Sequence, residues 1–190
     1  MTNLIRGVVA GIFLATSAWA AQPTQQMDSY LNGDIRTWAN DAAIVAAINA
    51  QNLRTAGIDQ AEIDKQDTVW RADVIARAMS LVDSVVENPA ADFLRSKVAQ
   101  SGGTITEIFI MDAKGLNVAA SAPTSDYWQG DEAKFTETFP RGEGAYYYSQ
   151  LEYDESASAV HTQISLAITD PATGKVIGAM TVGVDLSRLP

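Results

Sequence analysis

The sequence predicts an α+β fold, with long amino-terminal helices packed on a five-stranded antiparallel sheet. Three observations carry this prediction. Apolar residues recur at steps of three and four through the first half of the chain. After Gly102-Gly103 the period drops towards two, with β-branched and aromatic residues enriched. Turn sequences such as "DAKG" and "DPATGK" then cut the second half into strands.

The elements follow in order. From Met27 to Asn52 the residues Leu31, Ile35, Trp38, Ala42, Val45 and Ile48 form one helical face, which Gly57 interrupts. A second helix is expected from Ala61 to Glu87, with Val69, Trp70, Val74, Met79, Val82 and Val86 spaced alike. Asn88-Pro89 reads as the N-cap and first position of a third helix ending near Gly102. "TITEIFIMD" and "LNVAASA" are the first two strands, joined by "DAKG". A short helix starts near Asp131, which reads as its N-cap, and sets Phe135 and Phe139 one turn apart. The strand "YYYSQLEY" and the acidic tip "DESAS" follow. In "VHTQISLAIT", Val160, Thr162, Ile164, Leu166 and Ile168 face one side, and His161, Gln163, Ser165, Ala167 and Thr169 the other. "VIGAMTVGVDL" closes the sheet.

The first twenty residues stand apart. A single charge, Arg6, precedes an apolar run, and Ala18-Trp19-Ala20 supplies small residues at a cleavage site, the pattern of a secretory signal peptide cut after Ala20. The run is shorter than the ~18–20 residues that span a bilayer. Residues 21–190 then form one domain, helical over 27–102 and sheet over 104–190, and its expected place is a bacterial periplasm. There are no cysteines. Without Arg6 the formal charge of -10 becomes -11, which disfavours nucleic acid or anionic lipid as a partner of any broad face.

Catalysis has little support. The chain has neither a cysteine nucleophile nor a Gly-x-Ser-x-Gly motif, and a single histidine cannot make a two-histidine zinc motif. The acids Glu152, Asp154 and Glu155 lack the spacing and glycine of a calcium loop and read as a charged hairpin tip. No metal site is expected.

The run "YYYSQLEYDESASAVHTQISLAITDPATGKVIGAMTVGVDLSRL" resembles the end of Cache domains, the extracytoplasmic PAS-like sensor modules of bacterial receptors. The points of likeness are Ile164 to Asp170, "GKVIGA" from Gly174 to Ala179, and Gly183 to Asp185. The first helix and "IFIMDAKGLNVAAS" fit the same module, so the whole is similar to a free-standing single-Cache (PDC-type) protein. The resemblance implies a PAS-like sheet, a small-molecule pocket, signalling by shape change and no catalysis; no cofactor is expected. No spanning segment is expected after the domain, and on that expectation a separate membrane receptor or kinase would receive its state.

Double-Cache amino-acid sensors carry Arg, one residue, then Trp in the loop that corresponds to "SDYWQGDEAKF". Alignment on Trp128 puts Asp126 in the Arg position, and an Asp repels the carboxylate that Arg would pair. Asp126 beside Tyr127 and Trp128 suits a cation, with Tyr146 and Tyr148 completing an aromatic cage for a small amine or quaternary ammonium ligand. The alternative is that Tyr127 and Trp128 are a hydrophobic lid on the sheet and Asp126 caps a turn. His161 and Gln163 share the polar strand face and are candidate ligand contacts, or are simply solvated. Arg141 is the residue to suspect for an anion. The rival to a binding module is a ligand-free interaction module, a homodimer through the first helix with Trp38 and Trp70 at the interface. The inserted segment Pro123 to Gly144 is expected to cover the second sheet face and to leave a crevice against it.

Overall fold

A computed structural model describes residues 18–76, 80–154 and 159–190. The expected signal segment up to residue 17 and the tip 155–158 lie outside these residues. Among the described residues no helix is long and apolar enough to cross a membrane.

The amino-terminal half is helical, with more breaks than its periodicity indicates. Helix α1 (Ala18–Tyr30) runs into a π turn (Leu31–Ile35) and then α2 (Arg36–Trp38). The single helix expected over 27–52 does not form. The chain turns at Ala39 and Asn40, and Asp41 caps α3 (Ala42–Thr55) by accepting the Ala43 N–H at 2.9 Å. Helix α4 (Gln60–Ala76) and α5 (Ser80–Val86) occupy the second predicted stretch. Helix α6 (Pro89–Gln100) starts as its sequence dictates, with Asn88 accepting the Ala91 N–H at 2.9 Å and Pro89 in the first turn.

The sheet is antiparallel. Its strands are β1 (Ile105–Met111), β2 (Asn117–Ala120), β3 (Tyr146–Tyr148), β4 (Glu152–Asp154), β5 (Ala159–Asp170) and β6 (Lys175–Asp185). The spatial order is β2-β1-β6-β5-β3, and β4 also pairs with β5. "YYYSQLEY" is thus two short strands placed end to end along one edge of β5, and six strands fill five positions.

Strand alternation sorts the core into two layers. Ile108, Ile110, Ile164, Leu166, Ile168, Met180 and Val182 pack on Leu31, Ile35, Trp38, Ile44, Ile48 and Leu94 of the helices. The apolar stripe of the first helices is therefore spent on their own sheet, and Trp38 is core, as is Trp70, with 0% exposure. Neither tryptophan is the dimer seam considered from sequence.

Phe109, Met111, Leu116, Ala120 and Ala179 face the other way. Their cover is not the inserted segment alone. Ile63, Trp70, Val82 and Val85 of α4 and α5 join Tyr127 and Phe135 there. Within the insert, α7 (Ala133–Thr136) begins later than expected. Glu132, not Asp131, holds the N-cap position, without a side-chain cap bond. Phe139 starts a separate 3₁₀ turn (Phe139–Arg141), yet its ring still stacks on Phe135 at 5.2 Å.

Candidate ligand-binding crevice

A cavity of about 500 Å³ lies between the insert and the second sheet face. Its floor is a row across three strands. Glu107 of β1 is in register with Gly183 of β6, which is in register with Gln163 of β5. A Cβ on Gly183 would stand 2.6 Å from Thr106 Oγ1 and 2.7 Å from Glu107 Cγ. The missing side chain lets Glu107 lie across β6, and Gln163 Nε2 donates to Glu107 Oε1 at 3.0 Å. His161, two residues back along β5, is in register with Asp185. The His161 Nε2 atom is enclosed and has no hydrogen-bond partner among the described residues.

The edge wall is Tyr147 and Ser149, which follow from the β3–β5 pairing. Gln163 N–H donates to Ser149 Oγ at 2.9 Å, and Ser149 N–H returns a bond to the Gln163 carbonyl. The roof is Glu132, Ala133 and Lys134. Lys134 keeps only 16% of its side chain exposed. Its Nζ is 3.0 Å from Glu132 Oε2, donates to Gln129 Oε1 at 3.1 Å and sits 5.4 Å from the Phe109 ring centre. The Lys134 charge is thereby matched. Glu107 has no cationic partner within 4 Å among the described residues.

The residues expected to form one site are dispersed. His161 and Gln163 line the crevice. Asp126 and Trp128 line a second groove instead, also about 500 Å³, with Asp64, Asp67, Thr68, Arg71, Asp131 and Glu132. The Asp126 carboxylate there pairs with Arg71 Nε at 2.9 Å.

Tyr127 is 5% exposed and stacks on Trp70. Burial first, then the Asp112 charge, pushes its phenol up to about 12. It is a lid over the core. Its backbone N–H and that of Trp128 both donate to the buried Asp67, at 2.9 and 3.1 Å. The Trp128 indole N–H donates to the Lys114 carbonyl at 2.8 Å.

Tyr146 and Tyr148 point to the opposite face, where Tyr148 Oη donates to Asp28 Oδ1 at 2.6 Å and Arg36 lies over the Tyr146 ring. The aromatic cage of Tyr127, Trp128, Tyr146 and Tyr148 is therefore not assembled. Arg141, 61% exposed, is bound to Glu137 and stands outside the crevice. The sequence reading missed Glu107, Lys134, Tyr147 and Ser149. One signal was present: Glu107 is the lone charge in a mostly apolar strand.

No family model and no curated protein matches the chain. Several solved structures are similar to it. The extracellular domain of the putative histidine kinase rpHK1S-Z16 is 16% identical over 60% of this chain and 48% of that one, with a TM-score of 0.41. The ligand-binding domain of the Pseudomonas aeruginosa PAO1 amino acid chemoreceptor PctC, in complex with GABA, is 13% identical over 88% and 58%, at 0.41. The V. cholerae histidine kinase DctB sensor domain is 12% identical over 90% and 58%, at 0.39. The first is an extracellular domain, the second a ligand-binding domain and the third a sensor domain. The chain spans about half to three fifths of their lengths.

Proposed function

We propose that this chain is a small-molecule-binding sensor module, with the crevice under the insert as its site. The class of ligand that fits is a small amine or quaternary ammonium compound. One observation carries the reading. Glu107 is a carboxylate held by Gln163 on the crevice floor with no cation against it, while the roof lysine is already neutralised by Glu132. An ammonium group supplies the missing charge, and the aromatic ring of Tyr147 in the lining suits a cation. No catalytic constellation enters this reading. The bound state is handed on to a separate membrane receptor or kinase, in the periplasm.

The second groove competes for the same ligand class, because Asp126 and Trp128 line it among five carboxylates. Against it stands Arg71, a resident guanidinium that already pairs with Asp67 and Asp126.

A thermal-shift titration with choline, putrescine and acetate tests both. A ligand at 100 times its Kd adds about 2.7 kcal/mol to stability. The crevice reading expects a shift with an amine that Glu107→Gln abolishes and Asp126→Ala leaves intact. The opposite pattern moves the site to the second groove. A shift with acetate alone overturns the cation class, and an unchanged melting point throughout favours the ligand-free interaction module.

A further inference from the structure

Strand β3 has two sides with different business. Tyr147 faces the crevice, while its neighbours Tyr146 and Tyr148 face the first helix. Three contacts tie that outer side to the helix. Tyr148 Oη donates to Asp28 at 2.6 Å, Arg36 Nη2 donates to the Gly144 carbonyl at 3.0 Å, and the Arg36 guanidinium lies 5.9 Å from the Tyr146 ring centre. Asp28 and Arg36 lie on either side of the π turn Leu31–Ile35, so the strand grips the helix above and below one irregular turn.

A regular α-helix is the alternative conformation of that turn. The Arg36 N–H reaches back five residues to the Leu31 carbonyl, where an α-helix would reach back four. Regularising it advances one side of the helix by one residue against the other, about 1.5 Å and ~100°. The gripping strand is also lightly tethered. It is three residues long, pairs with β5 alone among the described residues, and is approached through Gly142 and Gly144 at φ 99° and 77°. Because successive strand residues alternate faces, anything that shifts Tyr147 shifts Tyr146 and Tyr148 with it.

We infer that β3 is the transmitting element of this module: occupancy of the crevice moves Tyr147, and the Tyr148–Asp28 and Arg36 contacts convert that movement into a change of the π turn in the first helix. The inference rests on the crevice being the site, and supplies the route by which its state leaves the sheet. Coupling of this kind requires a two-state element biased from a distant site, and that is the part the inference assigns to the π turn.

Amide hydrogen exchange over residues 28–36 reads the turn directly. In the whole protein, Tyr148→Phe removes a charge-assisted hydrogen bond and should speed exchange there about tenfold. Tyr147→Ala, on the crevice side, should do likewise while β6 amides keep their protection. The double variant should be no faster than Tyr148→Phe alone, since both act through one link. Wild-type exchange at 28–36 in a folded Tyr147→Ala protein overturns the inference. If that variant loses β6 protection as well, Tyr147→Leu is judged by the same criterion. Choline and putrescine then separate coupling from binding. A compound that raises the melting point yet leaves exchange at 28–36 unchanged overturns the coupling and keeps the site. Coupling in the variants with no thermal shift from either amine supports the inference and overturns the ligand class alone.

Discussion

The indole of Trp70 lies against the phenol of Tyr127, with centroids 5.5 Å apart and planes 25° from parallel. The indole N–H also donates to the Thr124 carbonyl at 2.9 Å. One side chain of α4 thus fastens the start of the insert over the sheet. Trp70→Ala is expected to cost about 3–5 kcal/mol, as for other fully buried tryptophans. Urea denaturation measures the loss, and a cycle with Tyr127→Ala should return a coupling of about 0.5–1.5 kcal/mol for the stacked pair.

Asp67 is the second fastening. Its Oδ1 accepts the backbone N–H groups of Tyr127 and Trp128, and Oδ2 pairs with Arg71. Asp67→Ala strands two enclosed donors and should destabilise by about 2–4 kcal/mol, whereas Asp67→Asn keeps one acceptor and should cost less. Exchange at the Tyr127 and Trp128 amides should rise in both variants, more in the alanine one.

Gly183 is required by Glu107. Gly183→Ala brings a methyl group to 2.6 Å from Thr106 Oγ1 and 2.7 Å from Glu107 Cγ, and should cost about 1–3 kcal/mol through overpacking. In a Glu107→Ala background the penalty should shrink, because one of the two obstructing groups is gone. An equal penalty in both backgrounds contradicts the account of the crevice floor.

The pH dependence has two separate limbs. Burial first, with Asp34 adding, pushes Tyr30 up to about 12, and Tyr127 reaches about 12; burial and the Asp28 bond raise Tyr148 as well. A raised tyrosine keeps its proton in the folded state after the unfolded chain has lost it. Its stabilisation is whole below pH 10.0 and disappears as pH climbs towards 12. Asp185 is lowered chiefly by its Ser187 bond, and Asp170 chiefly by the Ala172 N–H. Their contribution is present above the ordinary value of 3.8 and lost as pH falls through their lower folded values. Denaturation midpoints across pH should fall at both ends, and absorbance at the tyrosinate band should show Tyr30, Tyr127 and Tyr148 titrating late.

How much the sequence disclosed depended on whether the deciding interaction was local. The Asn88-Pro89 start of α6 was legible because a cap reaches only three residues. The break at Asp41 was written there too, in Asn40-Asp41, but the apolar steps through Ala42 and Val45 masked it. "YYYSQ" carried no alternation to read. The face of Tyr147 is set by its register with Ser165 on β5, far along the chain. The role of Glu107 was not legible, since its partner Gln163 is 56 residues away across an intervening glycine. The role of α4 was hidden for the same reason, because Trp70 meets Tyr127 and Thr124 only in three dimensions. The crevice was therefore foreseeable from topology, and most of its lining was not.

The division of one sheet edge between β3 and β4 has a bearing on how this protein behaves when crowded. A long, straight outer strand invites a neighbour's strand to add on and start a fibre. Here the outer edge is two runs of three residues with Ser149, Gln150 and Leu151 between them, so no incoming strand finds an uninterrupted row of free amides and carbonyls. The interruption that keeps β3 short also guards this edge of the sheet against a neighbour's strand.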